Sequence, residues 1–359
     1  AVVFLKHYLS KKIKQPIFLP DFYSIEEFTE KLSGLTVLDN ISLQFKLYQS
    51  YLAFPPKKID SFDDFLSWSN VLLHDFNEID RNLVDAKSIY TNLKNVKELE
   101  DWSVDNWSLA EDNLSNMQHD YISFFEGMLS WYTHFNDSLL KEQLAYQGMA
   151  YKFAAKNIST AQVKWNKVWF VGLNALTKSE QEIIDYLKKE DIARVFWDAD
   201  NFYYDDKSQH EAGGFLREQR EKWSEIDFNG VGDYFSEKKE SFNVVACPKN
   251  ITQAKVAAEV IKGFEKSDLD NSNTAIVLAD EALLFPVLHN LPSEIKQLNV
   301  TMGSPLKNTA LFSLVEAIFK LQIHAIKYNR KAFYYKDVIA VIEHPYFSKI
   351  TKISDGIAF

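Results

Sequence analysis

The sequence predicts an α/β chain: two parallel-sheet domains, a large helical insertion in the first, and the start of a second helical insertion at the C-terminal end. Three observations predict this. The stretch Val168–Glu180, VWFVGLNALTKSE, reads as a strand that breaks at Gly172 and enters a helix, and Ala193–Asp198 reads as the next strand. Strand, helix and strand within about thirty residues is the βαβ unit of an open sheet, where ligands sit at the carboxyl ends of the strands. A second alternation of apolar runs and helical periods occupies Phe242–Thr301, and between Leu38 and about Asn157 the apolar residues recur at helical spacing almost throughout.

Length and composition set the bounds. At 359 residues the chain exceeds the size at which single cores stop growing, and 46% hydrophobic residues supply ample material for more than one. Its one cysteine, Cys247, excludes a disulfide framework or a thiolate metal cluster built within the chain, and a cytoplasmic location is expected. No apolar run reaches the roughly eighteen residues of a membrane helix, so no membrane association is expected. A net charge of −10 argues against a broad basic surface for nucleic acid, though not against a local groove.

In chain order, Phe4, Leu5, Tyr8 and Leu9 mark a helix, Pro16–Leu19 reads as a short strand, and Ser24–Leu32 reads as a helix opened by a capping box, Ser24 with Glu27. Residues 1–37 are therefore taken as the beginning of the first α/β domain, and 38–157 as the helical insertion. Trp68, Trp102, Trp107 and Trp131 of the insertion lie among apolar residues without basic neighbours and read as helix-packing core, with base stacking as the alternative. Residues 158–238 complete the first domain, and its second helix is capped by Thr177 with Glu180. The charged stretch Lys238–Ser241 marks the boundary. Residues 239–328 form the second domain, with strands at Phe242–Cys247, Thr274–Ala279 and Gln297–Thr301, a helix capped by Thr252 and another by Asp280. Leu311–Ile326 is a long apolar helix, and 329–359 begins a further helical element.

The chemistry-bearing motifs are weak. No G-x-x-x-x-G-K-[ST] loop occurs, and at the end of strand Val168–Val171, where a Walker B Asp-Glu pair would hold Mg²⁺, stand Gly172 and Leu173. Leu73–Asp80, LHDFNEID, has the acids of a Walker B strand, but Leu72, Leu73, Phe76, Ile79 and Leu83 follow helical spacing. Asp198 and Asp200 end an apolar strand as D-x-D, the arrangement of phosphotransferases with an aspartyl nucleophile; a solvated acidic loop with Asp205 and Asp206 is the alternative. Arg217, Arg220, Lys222 and Lys307 could contact phosphates, although the first three sit among Glu218, Glu221 and Glu225 as on a solvated helix face. The eight histidines show no metal-ligand spacing, and Cys247 in an apolar strand reads as a core residue.

Taken together, SIEEF at 24–28, DFNEID at 75–80, FVGL at 170–173 with Leu176, Thr177 and Glu180, NVTMGSPL at 299–306 and His344-Pro345-Tyr346 give an order of elements that resembles superfamily I helicases of the UvrD/RecB type. Within these, the chain is most similar to the AddB/RexB class of helicase–nuclease subunits, in the version associated with Bacteroidetes. The resemblance spans essentially the whole chain and implies two RecA-like domains. It places Gly172 and Leu173 at the Walker B acids, and Asp198, Asp200 and Asn201 at the next helicase motif, both degenerate. The implied function is an inactivated helicase core that guides DNA or serves as a scaffold in double-strand-break repair. The implied partners are single-stranded or forked DNA and a partner helicase–nuclease subunit. No cofactor is implied for these residues themselves; ATP and Mg²⁺ would belong to a P-loop strand expected before Ala1, and a nuclease module would lie toward the C-terminus of the parent protein. An interaction scaffold that binds no DNA, and a phosphotransferase centred on Asp198, are the competing expectations.

Overall fold

The structure is a computed structural model that describes residues 2–92, 116–161, 164–205, 210–223, 231–237, 242–264, 274–295, 298–328 and 332–351. It divides into two compact units, Ala1–Glu240 and Ser241–Phe359.

In the first unit, α1 (Val2–Lys12) is followed by irregular chain. The expected strand at Pro16–Leu19 does not form; Ile17, Phe18 and Leu19 are exposed and pair with no neighbour. Helix α2 (Ile25–Ser33) starts where its capping box requires, with Glu27 N–H donating to Ser24 Oγ and Ser24 N–H to the Glu27 carboxylate. It ends at Gly34, which takes a left-handed φ of 69° and donates to Glu30 O. Strand β1 (Thr36–Val37) then leads into three long helices: α3 (Asn40–Ala53), α4 (Phe62–Arg81) and α5 (Asn116–Lys141). Strand β2 (Leu144–Ala145) pairs in parallel with β1, Thr36 opposite Leu144, so the helical region leaves and rejoins the chain at one point. Helix α6 (Gln147–Asn157) follows.

The helical region has its own core, in which Leu47, Phe65, Phe76, Phe135 and Leu139 are fully buried. Trp131 is buried there and donates Nε1–H to Phe54 O at 2.8 Å, and Trp68 packs against the same cluster, so both are core residues. Trp102 and Trp107 lie outside the described residues. Leu73–Asp80 is the C-terminal half of α4, the helix its spacing predicts, and so no Walker B strand.

A second core joins α2 and the end of α6 to the βαβ unit. Strand β3 (Val168–Val171), helix α7 (Lys178–Lys189) and strand β4 (Ala193–Phe196) follow one another, and β3 pairs with β4 in parallel, Val168 opposite Ala193 and Val171 opposite Phe196. Phe170 on one face packs with Phe28, Ile183, Ile184 and Leu187, whereas Trp169, Val171, Arg194 and Phe196 on the other are exposed. A second parallel pair, β5 (Ala199–Asp200) with β6 (Val231–Gly232), continues the unit, with α8 (Gly214–Lys222) between. Helix α6 belongs to both cores: Met149 and Ala150 face the helical one, Ala154 and Ala155 the α/β one.

In the second unit, α9 (Asn250–Lys262) packs through Ala254, Ala258 and Ile261 against α10 (Leu284–Asn290). Its N-cap is Lys249, so Thr252, the expected cap, sits within the first turn. Asp280 caps as expected, accepting from Ala282 N–H at 2.9 Å. Helix α11 (Ala310–Lys327) contacts α12 (Tyr335–Ile342) and α13 (Pro345–Thr351), with His324 Nδ1 2.8 Å from Asp337 Oδ2.

Residues 242–247, 274–278 and 298–301, expected as strands, are outside regular secondary structure here, and among the described residues of this unit no ladder forms. Apolar, β-branched residues supply propensity, but a strand needs a partner about 4.8 Å away to receive its hydrogen bonds. Without one, Val244 and Val277 are 95% and 91% exposed, and Cys247, expected in a core strand, is only half-buried. The chain is therefore a mixed one, predominantly helical with few and short parallel strands. No helix among the described residues is long and apolar enough to cross a membrane.

Candidate functional site

The carboxyl ends of β3 and β4 are the place where an open parallel sheet carries its chemistry. There, Gly172 takes a φ of 74° and its N–H reaches Phe196 O at 3.4 Å, the last contact of the ladder. A side chain would be strained at that angle even though nothing would touch its Cβ within 4 Å, which is why glycine suits the turn. Leu173 turns back and packs, half-buried, against the apolar core under the sheet. The loop is pinned from outside by Gln219, whose Nε2 donates to Asn174 O at 3.0 Å, and α7 begins in its capping box, Thr177 N–H donating to Glu180 Oε2 at 2.7 Å.

On β4 the next residue, Trp197, is buried, and Asp198 is exposed to solvent. Asp200 is a structural acceptor: Oδ1 receives Phe202 N–H at 2.9 Å and Oδ2 receives Phe235 N–H at 3.1 Å, tying β5 to the segment after β6. Asn201 reinforces that tie by donating Nδ2–H to Asp233 Oδ1 at 2.9 Å. Arg217 projects from α8 to the same turn and donates to Tyr203 O at 2.6 Å and His210 O at 2.8 Å. Arg220, one turn on, donates to Tyr204 O at 3.2 Å and lies 4.8 Å from the centre of the Tyr204 ring. Asp200, Asn201, Arg217 and Arg220 are thus brought together around one turn, where Asp200, Arg217 and Arg220 bond backbone groups and Asn201 bonds the Asp233 carboxylate. Lys307, in the other unit, lies on a short exposed 3₁₀ turn.

A different constellation, whose members lie far apart in the sequence, sits in the first unit around Asp80. The Asp80 carboxylate has 0% exposure. It accepts from Lys152 Nζ at 2.7 Å and, through short hydrogen bonds, from the hydroxyls of Tyr132 and Tyr146. Lys152 also donates to Tyr132 Oη at 2.7 Å, and Ser179 Oγ donates to Asp80 O at 3.3 Å. Burial first, then the Asp80 charge, pushes both phenols above the ordinary tyrosine range, so they remain donors. This arrangement joins α4, α5, α6 and α7. The Asp80 carboxylate is satisfied by protein donors, and the network's chemistry is cohesion.

Among the described residues, no three His, Cys, Asp or Glu side chains converge so as to hold a metal ion. Comparison of the chain with protein-family models and with curated proteins finds no match.

Proposed function

We propose that this chain is a non-catalytic, helicase-like part of a cytoplasmic DNA double-strand-break repair protein of the AddB/RexB kind, built on two degenerate RecA-like domains. In this reading it guides DNA or holds a partner helicase–nuclease subunit and does not itself hydrolyse ATP. The observation that supports the reading is the end of β3: a strand, a glycine turn and a capped helix follow one another in the order that the resemblance implies, and Leu173 packs half-buried against the core at the position that the resemblance gives to a magnesium-binding acid.

The test is ATP hydrolysis by the purified chain with Mg²⁺, beside titration of single-stranded and forked DNA at increasing salt. The reading expects no magnesium-dependent hydrolysis and a DNA affinity that falls as salt rises. Hydrolysis that disappears in Asp198→Asn would overturn it. A scaffold that binds no DNA is favoured by one observation: Arg217 and Arg220 direct their guanidinium groups at backbone carbonyls. Complete absence of DNA binding at low salt would select that alternative.

A further inference from the structure

A cavity of about 260 Å³ lies in the first unit, between α2, the β1–β2 pair, α4 and the start of α6. Its apolar lining comes from Val37, Leu38, Leu43 and Leu73. Glu26 and Glu30, one turn apart on α2, and Tyr151 from α6 line it as well.

The polar groups differ in whether the fold already satisfies them. Asn77, also on the wall, is fully engaged: its oxygen accepts Gly148 N–H at 2.7 Å and its amide donates to Leu73 O at 3.0 Å. Glu30 gives one oxygen to Val37 N–H at 3.2 Å, and Glu26 makes no hydrogen bond or ion pair among the described residues. Tyr151 is 1% exposed, and among the described residues its hydroxyl lies beside the Thr29 hydroxyl without forming a well-aligned hydrogen bond. The neighbouring Thr29 hydroxyl donates instead to Ile25 O at 2.7 Å. A buried hydroxyl left unpaired costs roughly 1–3 kcal/mol, which a ligand that bonds it would recover.

Burial, and then the charges of Glu180 and Glu26, hold the Tyr151 phenol above its ordinary range, so it is neutral and offers lone pairs. Glu180 is occupied by its capping box, and Arg81, whose guanidinium stands 5.3 Å from the centre of the Tyr151 ring, pairs loosely with Glu78 at 3.8 Å. Among the described residues, Glu26, exposed at the rim, and Glu30 have no ion-pair partner.

We propose that this cavity binds an alkylammonium group, with the aliphatic stem on the Val37, Leu38, Leu43 and Leu73 wall and the ammonium against Glu26, Glu30 and the Tyr151 hydroxyl. Three acceptor groups match the three N–H donors of an ammonium, and the volume, below the roughly 300–1,000 Å³ of drug-sized sites, suits a stem of a few methylenes. Such a group belongs either to a free polyamine or to a lysine side chain presented by another protein.

The experiment is a calorimetric and NMR titration of the full chain with cadaverine, Nα-acetyl-lysine amide and n-pentanol. Both amines should bind at least about tenfold more tightly than the uncharged alcohol, the equivalent of one charge-assisted hydrogen bond. Glu26→Gln and Tyr151→Phe should each weaken amine binding by about the same factor while melting no lower than wild type, because neither side chain has a protein hydrogen bond to lose. Tighter binding of cadaverine supports a free polyamine as the natural occupant; tighter binding of the lysine derivative supports a partner's side chain. Equal binding of amine and alcohol by the unmodified chain, or no binding of either, would overturn the proposal without reference to any variant, and so would full amine affinity in Glu26→Gln.

Discussion

Replacing Asp80 by Asn tests whether the buried network holds the first unit together. The carboxylate is wholly inaccessible and receives three donors: Lys152 Nζ at 2.7 Å and the hydroxyls of Tyr132 and Tyr146. Asparagine keeps the shape and one acceptor oxygen, but it removes the charge opposite Lys152 and turns an N–H₂ group toward side chains that are themselves donors. Breaking a buried ion pair by removing one partner costs about 3–5 kcal/mol. Lys152 keeps 24% of its side chain exposed, so its ammonium can turn partly to water, and a loss of about 2–3 kcal/mol is the expectation. At roughly 2–4 °C per kcal/mol for a unit of this size, the melting temperature should drop by roughly 4–12 °C. The assay is thermal and urea unfolding followed by tyrosine and tryptophan fluorescence, with Lys152→Met alone and combined with Asp80→Asn. Because the double variant no longer leaves a cation unpaired, its loss should be smaller than the sum of the single losses. An Asp80→Asn loss under about 1 kcal/mol, or strict additivity with Lys152→Met, would refute the assignment of cohesion to this network.

Further outcomes follow from the same geometry. Tyr90, Tyr132, Tyr146 and Tyr151 are all raised above the ordinary tyrosine value, chiefly by burial. The folded state therefore holds these protons after the unfolded state has released them; the stability they contribute is complete below pH ~10 and declines above it, by roughly 1.4 kcal/mol per pH unit for each tyrosine. The phenolate absorbance of these four, read as the difference between wild type and the corresponding Tyr→Phe variants because exposed tyrosines such as Tyr8 and Tyr234 ionise in the folded chain, should then appear together with unfolding, and its appearance in a still-folded chain would contradict this. Gly148→Ala would place a methyl 2.4 Å from Asn77 O and 2.7 Å from Asn77 Cα, backbone atoms of α4 that cannot rotate away. A loss of about 1–3 kcal/mol should register in urea unfolding, whereas the same change at Gly214, where nothing lies within 4 Å, should be far milder. Arg217→Ala removes bonds to two carbonyls and should speed proteolytic nicking at Tyr203 and at His210, while Arg217→Lys should restore only part of the protection.

The elements that could be read from the sequence are those whose signals are local. Ser24 with Glu27 and Thr177 with Glu180 form the capping boxes that their spacing announces, and the strand–helix–strand order from Val168 to Phe196 is a parallel pair in register. Helical spacing of Leu72, Leu73, Phe76 and Ile79 correctly outweighed the Walker-like acids of α4. What escaped was non-local. The donors to Asp80 lie 52, 66 and 72 residues away, and no pattern in a window of a dozen residues could connect them. One signal was available: Asp80 stands seven residues after Leu73 and four after Phe76, on the apolar face of its helix, where a charge needs a partner. In the second unit, Val244, Val277 and Val300 carry the residue preferences of strands, but preference does not specify a neighbour, and these segments have no ladder. Around the candidate site, Arg217 and Arg220 were open to phosphate contact or to a solvated helix face, and neither reading could foresee the carbonyls they meet, because a sequence cannot reveal which carbonyls a guanidinium will reach.

Helix α6 gives the helical region a meaning that its place in the sequence conceals. Interrupting a domain between β1 and β2 looks like the addition of a detachable module, one that could be excised and the ends rejoined. Yet the segment that closes the excursion supplies Ala150 to one core and Ala154 and Ala155, one turn later, to the other, while Lys152 between them anchors to Asp80. Excision would therefore strip the α/β layer of a wall, since α6 packs against α2 and α7 as well as against α4.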